Sequence, residues 1–309
     1  MAVPNGTSTT TATITSLVQT AYDQYVRMAL RSIPVMRAIA DVKPVQQAMP
    51  GSSVVFSIYS DLAAATSTLV ETSDVSSIAL GNPTNVSVTL QEYGNAVTTT
   101  KKLNLTSFND VDAALADIIA YNAADSLDSV VAGVLTGGSN VIYASSATST
   151  NTITAGMTIT TADIREAVVQ LRTNKALPRI GELYAAYLHP RQSADLRAEV
   201  GTGGFQELTK YVERTPFVSG SVGVIEGAFI VETPRVPFAP NSGSVNVYKG
   251  IIAGREALAE ALGQDITTVI GPEIDALRRF RTIGWYFFGG WSLLRQAAIY
   301  RIESATSIN

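Results

Sequence analysis

The chain has 309 residues, of which 46% are hydrophobic and only 16% are charged, with a formal net charge of −4. Ordinary soluble domains carry about one-quarter charged residues, so this composition excludes general disorder, which needs few apolar groups and many charges, and implies much surface hidden in a core or against other subunits. The absence of cysteine removes disulfides and thiolate metal sites, the single His189 removes a zinc site of the usual type, and the acidic balance lacks the basic patch with which duplex-DNA binders grip phosphate.

Residues 1–13 are mostly Thr, Ser, Ala and Gly, with neither the basic region nor the apolar core of a signal peptide. No apolar run approaches the ~20 residues that a membrane helix needs. Ile14, Leu17, Val18, Ala21, Tyr25 and Met28 fall at helical spacing until Pro34 and Pro44 break the pattern. Arg27, Arg31, Arg37 and Lys43 outnumber Asp23 and Asp41 here, and the segment reads as a partly helical N-terminal arm lying on something else. Two strands follow at 53–59 and 85–91, the second marked by Val86, Val88 and Leu90 in alternation. The stretch DLAAATSTLVETSDVSSIALGNP between them is rich in small residues and makes the pair an extended hairpin loop. From Pro44 to Thr100 there is no Lys or Arg, while Asp61, Glu71, Asp74 and Glu92 are present.

The strongest periodic element is a helix over 107–135. Ser107 and Asp110 form its cap, Phe108, Val111, Leu115, Ile118, Ile119, Val130 and Val134 its apolar side, and Gly137 and Gly138 its stop. Asp110, Asp117, Asp125 and Asp128 gather on the other side and are expected to face solvent rather than the arginines of a neighbour. Thr160 and Asp163 cap another helix with Ile164, Val168 and Leu171 on one face, 183–188 reads as a buried strand, and Pro190 opens a short helix. Residues 200–222 read as loop, 225–231 and 245–252 as strands, 255–262 as a helical turn or two, and 265–270 as the start of a final β region. Gly289 and Gly290 suggest a tight turn between two strands at 287–291, and Ala298, Tyr300 and Ile302 alternate in a last strand. The pattern is α+β.

Motifs for chemistry are missing. There is no GxxxxGK[ST] phosphate loop and no GxSxG nucleophile elbow. Gly201, Gly203 and Gly204 lack the strand-then-helix setting of a dinucleotide site, and Ser219-Gly220-Ser221 lacks the preceding glycine of an elbow. His189, between a strand end and Pro190, suits capping or packing better than general-base work. Glu71 and Asp74 read as solvated. Arg278, Arg279 and Arg281 form the densest basic cluster and Trp285, Tyr286, Phe287, Phe288 and Trp291 the densest aromatic one, read respectively as a solvated or salt-bridged strand face and as core. No catalytic, cofactor or metal residues are assigned.

The order of arm, long low-complexity hairpin loop, long helix, mixed central domain and returning β region resembles the major capsid proteins of tailed double-stranded DNA phages, the Hong-Kong-ninety-seven-like fold. GVIEGAFIVET at 223–233 is similar to an axial-domain segment of one branch of that family, and IGWYFFGGWSLLRQAAIYRIESA, within 265–308, to its C-terminal peripheral-domain strands. The resemblance implies an arm over 1–45, an extended loop over 46–104, a peripheral domain over 105–180 and 265–309 with 107–135 as its spine helix, and an axial domain over 181–264. It implies a structural protein, not an enzyme, closing as hexamers and pentamers into an icosahedral shell around the genome, in the virion and assembled in host cytoplasm. Its partners would be further copies, a separate scaffolding protein, a portal and a decoration protein, with DNA enclosed without sequence-specific binding and no membrane. A separate scaffold is expected because only about 45 residues precede the first strand, too few to fold alone. Leu62, Leu69, Val70, Ile78 and Leu80 of the loop, with Arg278, Arg279 and Arg281, are the candidates for contact between subunits. The alternatives are a nanocompartment shell of the same fold and an unrecognised soluble enzyme.

Overall fold

A computed structural model describes residues 36–44, 52–59, 61–75, 77–106, 111–200, 223–272 and 276–308. The expected helix at 14–28, the cap at Ser107 and Asp110, and the loops at 201–204 and 219–221 lie outside them. The chain divides into a larger unit of residues 34–94, 123–267 and 286–309 and a smaller one of 1–33, 95–122 and 268–285.

The larger unit is built on a mixed seven-stranded sheet. Its strands are β5 (Val141–Tyr143), β6 (Tyr184–Leu188), β7 (Val224–Ile225), β8 (Ala228–Glu232), β9 (Phe238–Pro240), β10 (Asn246–Ala253) and β13 (Ile299–Ser304), in the order β5-β13-β10-β6-β8-β7 with β9 on β10. β6 is apolar throughout, YAAYL, because it is buried along its whole length in the middle of the sheet. It pairs in parallel with β8 and antiparallel with β10. Helix α3 (Thr161–Thr173) carries the expected reciprocal cap between Thr160 and Asp163 and buries Ile164, Ala167, Val168 and Leu171. Helix α4 (Pro190–Ala198) starts at its proline and is tied to the chain end. The Asp195 carboxylate accepts from Ser307 N–H and Oγ, and Gln192 Nε2 donates to Ser304 Oγ at 2.8 Å.

The extended hairpin pairs β2 (Ser53–Ile58) with β3 (Thr84–Thr89) antiparallel, from Ser53 opposite Thr89 to Ile58 opposite Thr84. Its base packs through Val54, Phe56, Val88 and Leu90 on Ala259 and Ala261. A second sheet has the order β1-β11-β12-β4, with β1 (Ala40–Pro44), β4 (Gln91–Thr100), β11 (Leu258–Ile270) and β12 (Phe280–Leu293). In the larger unit β1 runs parallel to β11, from Ala40 beside Leu258 to Pro44 beside Leu262. In the smaller unit Gly271 N–H donates to Thr282 O, and Lys101 N–H donates to Arg279 O at 2.8 Å.

Four expectations change. Residues 258–262 are strand rather than helix: Leu258–Ala261 are fully buried in a ladder with β1, and a short apolar run carries no period that separates strand from helix. Gly289 and Gly290 lie inside the continuous strand β12 and make no turn. A Cβ at Gly289 would stand 2.8 Å from the Ala261 carbonyl oxygen, so the glycine answers the close approach of β11. The long helix α2 (Val111–Leu135), roughly 37 Å at 1.5 Å per residue, is rotated from its expected face. In the larger unit it buries Ala123, Leu127, Asp128, Val131, Ala132 and Leu135, leaving Val130 and Val134 half-buried. In the smaller unit Ile119 is buried and Ile118 is exposed. Finally, Ile118–Leu135 is long and apolar enough, by length and composition, to cross a membrane. Its residues 123–135 supply the core face just named and two carboxylates that hold Arg235.

Candidate subunit-contact surfaces

Among the described residues between Tyr59 and Pro83 the loop has no helix or strand. Ala, Ser and Thr dominate its composition, so it has few large apolar residues with which to build a core of its own. Leu62, Leu69, Val70, Ile78 and Leu80 are all exposed, at 58% to 77%, as is Val75. Packing within their own hairpin is therefore not how they are covered. The local bonds are slight: Ser73 N–H to Val70 O at 3.1 Å and Val75 N–H to the Asp74 carboxylate at 2.8 Å. Glu71 and Asp74 are exposed beside them.

The basic cluster lies in the smaller unit. Arg278 ends an exposed turn in a left-handed conformation, φ 51°, and Arg279 follows with its guanidinium 5.5 Å from the Phe280 ring centre. Arg281 enters β12, its carbonyl accepting from Thr99 Oγ1. Because Lys101 N–H bonds Arg279 O, helix α1 (Lys101–Thr106) begins at this cluster, bringing Lys101 and Lys102 to it. Leu103, Leu105 and Leu277 are exposed in the same segments. The basic residues thus belong to a corner with an apolar content of its own, which the arginine spacing alone did not indicate.

Sequence reasoning missed the polar clasp around residues 36–44 of the larger unit. Met36 N–H donates to Asp128 Oδ1 at 2.8 Å, and Arg235 reaches Asp128 at 3.1 Å and Asp125 at 2.5 Å. Arg37 grips the fully buried Glu260 at 2.6 Å and Asp265 at 3.0 Å, with its guanidinium 5.2 Å from the Phe287 ring centre. Asp41 holds Arg179 at 2.5 Å and accepts from Glu256 N–H at 2.9 Å, while Lys43 Nζ donates to Val55 O in the loop base. Burial opposes the charge of Arg37, but its bonds to Glu260 and Asp265 outweigh this and hold it above the ordinary guanidinium value. Asp265, in return, stays below the usual carboxylate range despite some burial, through Ile266 N–H and Arg37. Asp125 and Asp128 therefore meet an arginine of their own chain, where a solvated acidic face was expected. The signal available was the low charge fraction: where charges are few, a buried one must be paired.

His189 is a cap. Its Nδ1 accepts from Arg191 N–H at 3.2 Å, and its ring lies 4.7 Å from Tyr248 and 6.2 Å from Phe238. Burial, then the Arg191 cation, push its pKa down. Of the aromatic cluster, Phe287 and Trp291 stack at 5.2 Å in the larger unit with Tyr93 beside them. In the smaller unit Trp285 Nε1 donates to Asn122 Oδ1 at 3.0 Å. An open cleft of about 840 Å³ sits at the loop root, lined among others by Lys43, Tyr59, Asp61, Lys175, Glu256 and Arg295. Among the described residues no group of His, Asp and Glu could hold a metal ion.

The family model described as phage capsid protein matches residues 14–305. No curated protein sequence matches. Among solved structures, the chain is similar to the capsid of Ralstonia phage GP4, with a TM-score of 0.72 at 16% identity over 88% of both chains. The capsid of cyanophage P-SCSP1u gives a TM-score of 0.71 at 17% identity, covering 99% of this chain and 97% of that one. The acidic stable capsid of Helicobacter pylori bacteriophage KHP30 gives 0.70 at 15%, covering 99% and 100%. At these identities the likeness is one of fold.

Proposed function

The chain belongs to the phage capsid protein family, and from that premise we propose that its copies close as hexamers and pentamers into an icosahedral shell around a double-stranded DNA genome. It is a capsid shell protein, and its role is structural. The observation that carries the reading is the family match over 14–305, on a chain whose long loop holds large apolar residues uncovered. A closed assembly repeats each contact many times, so surfaces unsuited to a lone subunit become useful in a shell.

In this reading 1–45 is the arm, 46–104 the extended loop, 105–180 with 265–309 the peripheral domain and 181–264 the axial domain. One adjustment has support from the sheet: β13 pairs with β10 of 181–264 and β5 pairs with β13, so both are better grouped with the axial domain. Leu62, Leu69, Val70, Ile78, Leu80, Arg278, Arg279 and Arg281 are the subunit-contact residues. The further partners are a separate scaffolding protein, a portal and a decoration protein. Assembly takes place in host cytoplasm, and DNA is enclosed without sequence-specific binding. With no cysteine in the chain and no lysine between Lys43 and Lys101, the shell depends on buried apolar area and charge contacts rather than on disulfides or a lysine link from the loop. The test is expression of the chain alone and together with its neighbouring gene products. Irregular or small assemblies alone and uniform shells together are expected, and uniform full-size shells from the single protein would remove the scaffold.

A further inference from the structure

We propose that Arg179 and Pro44 close the outer edge of β1 against strand pairing by a second copy, so that copies meet only through other surfaces. The inference goes beyond the shell reading and does not rest on it.

β1 stands at the end of the order β1-β11-β12-β4, and among the described residues no strand lies on its far side. An end strand offers a row of backbone N–H and C=O groups to any other chain. The hazard is concrete, because Val42, a β-branched residue suited to strands, is 51% exposed in the middle of this one.

Arg179 removes much of that row. Its Nη2 donates to Ala38 O at 3.3 Å and to Ala40 O at 3.0 Å, and its Nη1 pairs with Asp41 at 2.5 Å. The Ala40 carbonyl thus points away from β11, on the side that an incoming strand would use. Groups two residues apart along a strand point the same way. The same side therefore carries the N–H and C=O of Val42 and then Pro44, which has no N–H to give. Within sheets proline is confined to such edges. Only Val42 keeps a complete outward donor and acceptor, too little for a strand to pair with.

The guanidinium is set for this task. Arg179 opens a tight turn in which its own N–H and that of Ile180 both donate to Leu183 O, at 3.0 and 2.9 Å, with Gly181 at φ 59°. Asp41 accepts from Glu256 N–H with its other oxygen, so the partner carboxylate is fixed from both sides. Anchoring Asp41 needs one donor. The bonds from the second nitrogen to two carbonyls go beyond anchoring, and a planar fork supplies them where an ammonium would act as a point charge.

The test compares the full chain with Arg179→Lys, which keeps a cation for Asp41 and gives up the carbonyls. Circular dichroism and urea denaturation check the fold, and sedimentation velocity follows association. Arg179→Lys should form irregular oligomers at about tenfold lower protein concentration. Adding Val42→Pro, which removes the remaining outward N–H, should reverse that gain. Unchanged association, or a gain that a folded double variant fails to reverse, overturns the proposal. So does a loss of urea stability with no gain in association, which is what an anchor alone would show. If Arg179→Lys misfolds, amide hydrogen exchange of the unaltered chain decides. The Val42 amide should exchange at least about tenfold faster than those of Asp41 and Lys43, which face β11, and should stay fast when copies associate. Equal protection of the three, or protection of Val42 gained on association, overturns the closure. An unaltered chain that never forms shells contradicts the shell reading alone, because the concentration dependence and the exchange rates are read on dispersed chain.

Discussion

Asp128→Ala should be among the most damaging single changes to the isolated subunit. The Asp128 side chain is 0% exposed and its partner Arg235 only 8%, so both charges are out of water. Truncation takes the buried carboxylate away from Arg235, keeps its contact with Asp125, itself 63% exposed, and leaves the Met36 N–H without its Asp128 acceptor. Removing one member of a buried ion pair costs about 3–5 kcal/mol, because the remaining charge stays desolvated. The stability of a whole domain is only about 5–15 kcal/mol. Asp125→Ala removes the solvated arm of the same contact and should cost about 1 kcal/mol or less. Urea denaturation of dispersed subunits, followed by the fluorescence of Trp285 and Trp291, measures both. Equal losses for the two variants, or a loss within about 1 kcal/mol for Asp128→Ala, would refute the claim that this clasp anchors residues 36–44.

Leu69→Asp should leave subunit stability within about 0.5 kcal/mol, since the side chain is 77% exposed, while lowering shell yield in an assembly assay. Gly289→Ala should destabilise the subunit by about 1–3 kcal/mol through overpacking against Ala261 O, read as a shifted urea midpoint. His189, held below its ordinary value near 6.5 by burial and Arg191, binds a proton in the unfolded chain before the folded one does. Stability should therefore fall as pH drops below about 6.5, and His189→Gln should remove that part of the slope in denaturation curves at about pH 7.5 and 5.5.

Local rules carried much of the architecture. The cap and apolar face of α3, the proline start of α4, the buried run of β6 and the antiparallel hairpin at the loop base all follow from short-range pattern, and all stand in the structure. What escaped depends on distant partners. Strand 258–262 is fixed by a ladder to residues 40–44, Gly289 by the backbone of β11, and the buried face of α2 by Arg235 and Met36. None of these leaves a mark within a window of ten residues. The loop's exposed leucines were visible in sequence because the stretch around them has nothing to bury them with. The apolar side of the basic corner was not, since it needs α1 and the turn before β12 brought together.

The most direct test of the central claim is electron microscopy of particles purified after the chain is expressed with its neighbouring gene products. The account predicts closed shells of icosahedral symmetry, with this chain in ring-shaped capsomers and its loop lying over an adjacent copy. A monodisperse small oligomer with no shell under any such condition would contradict it.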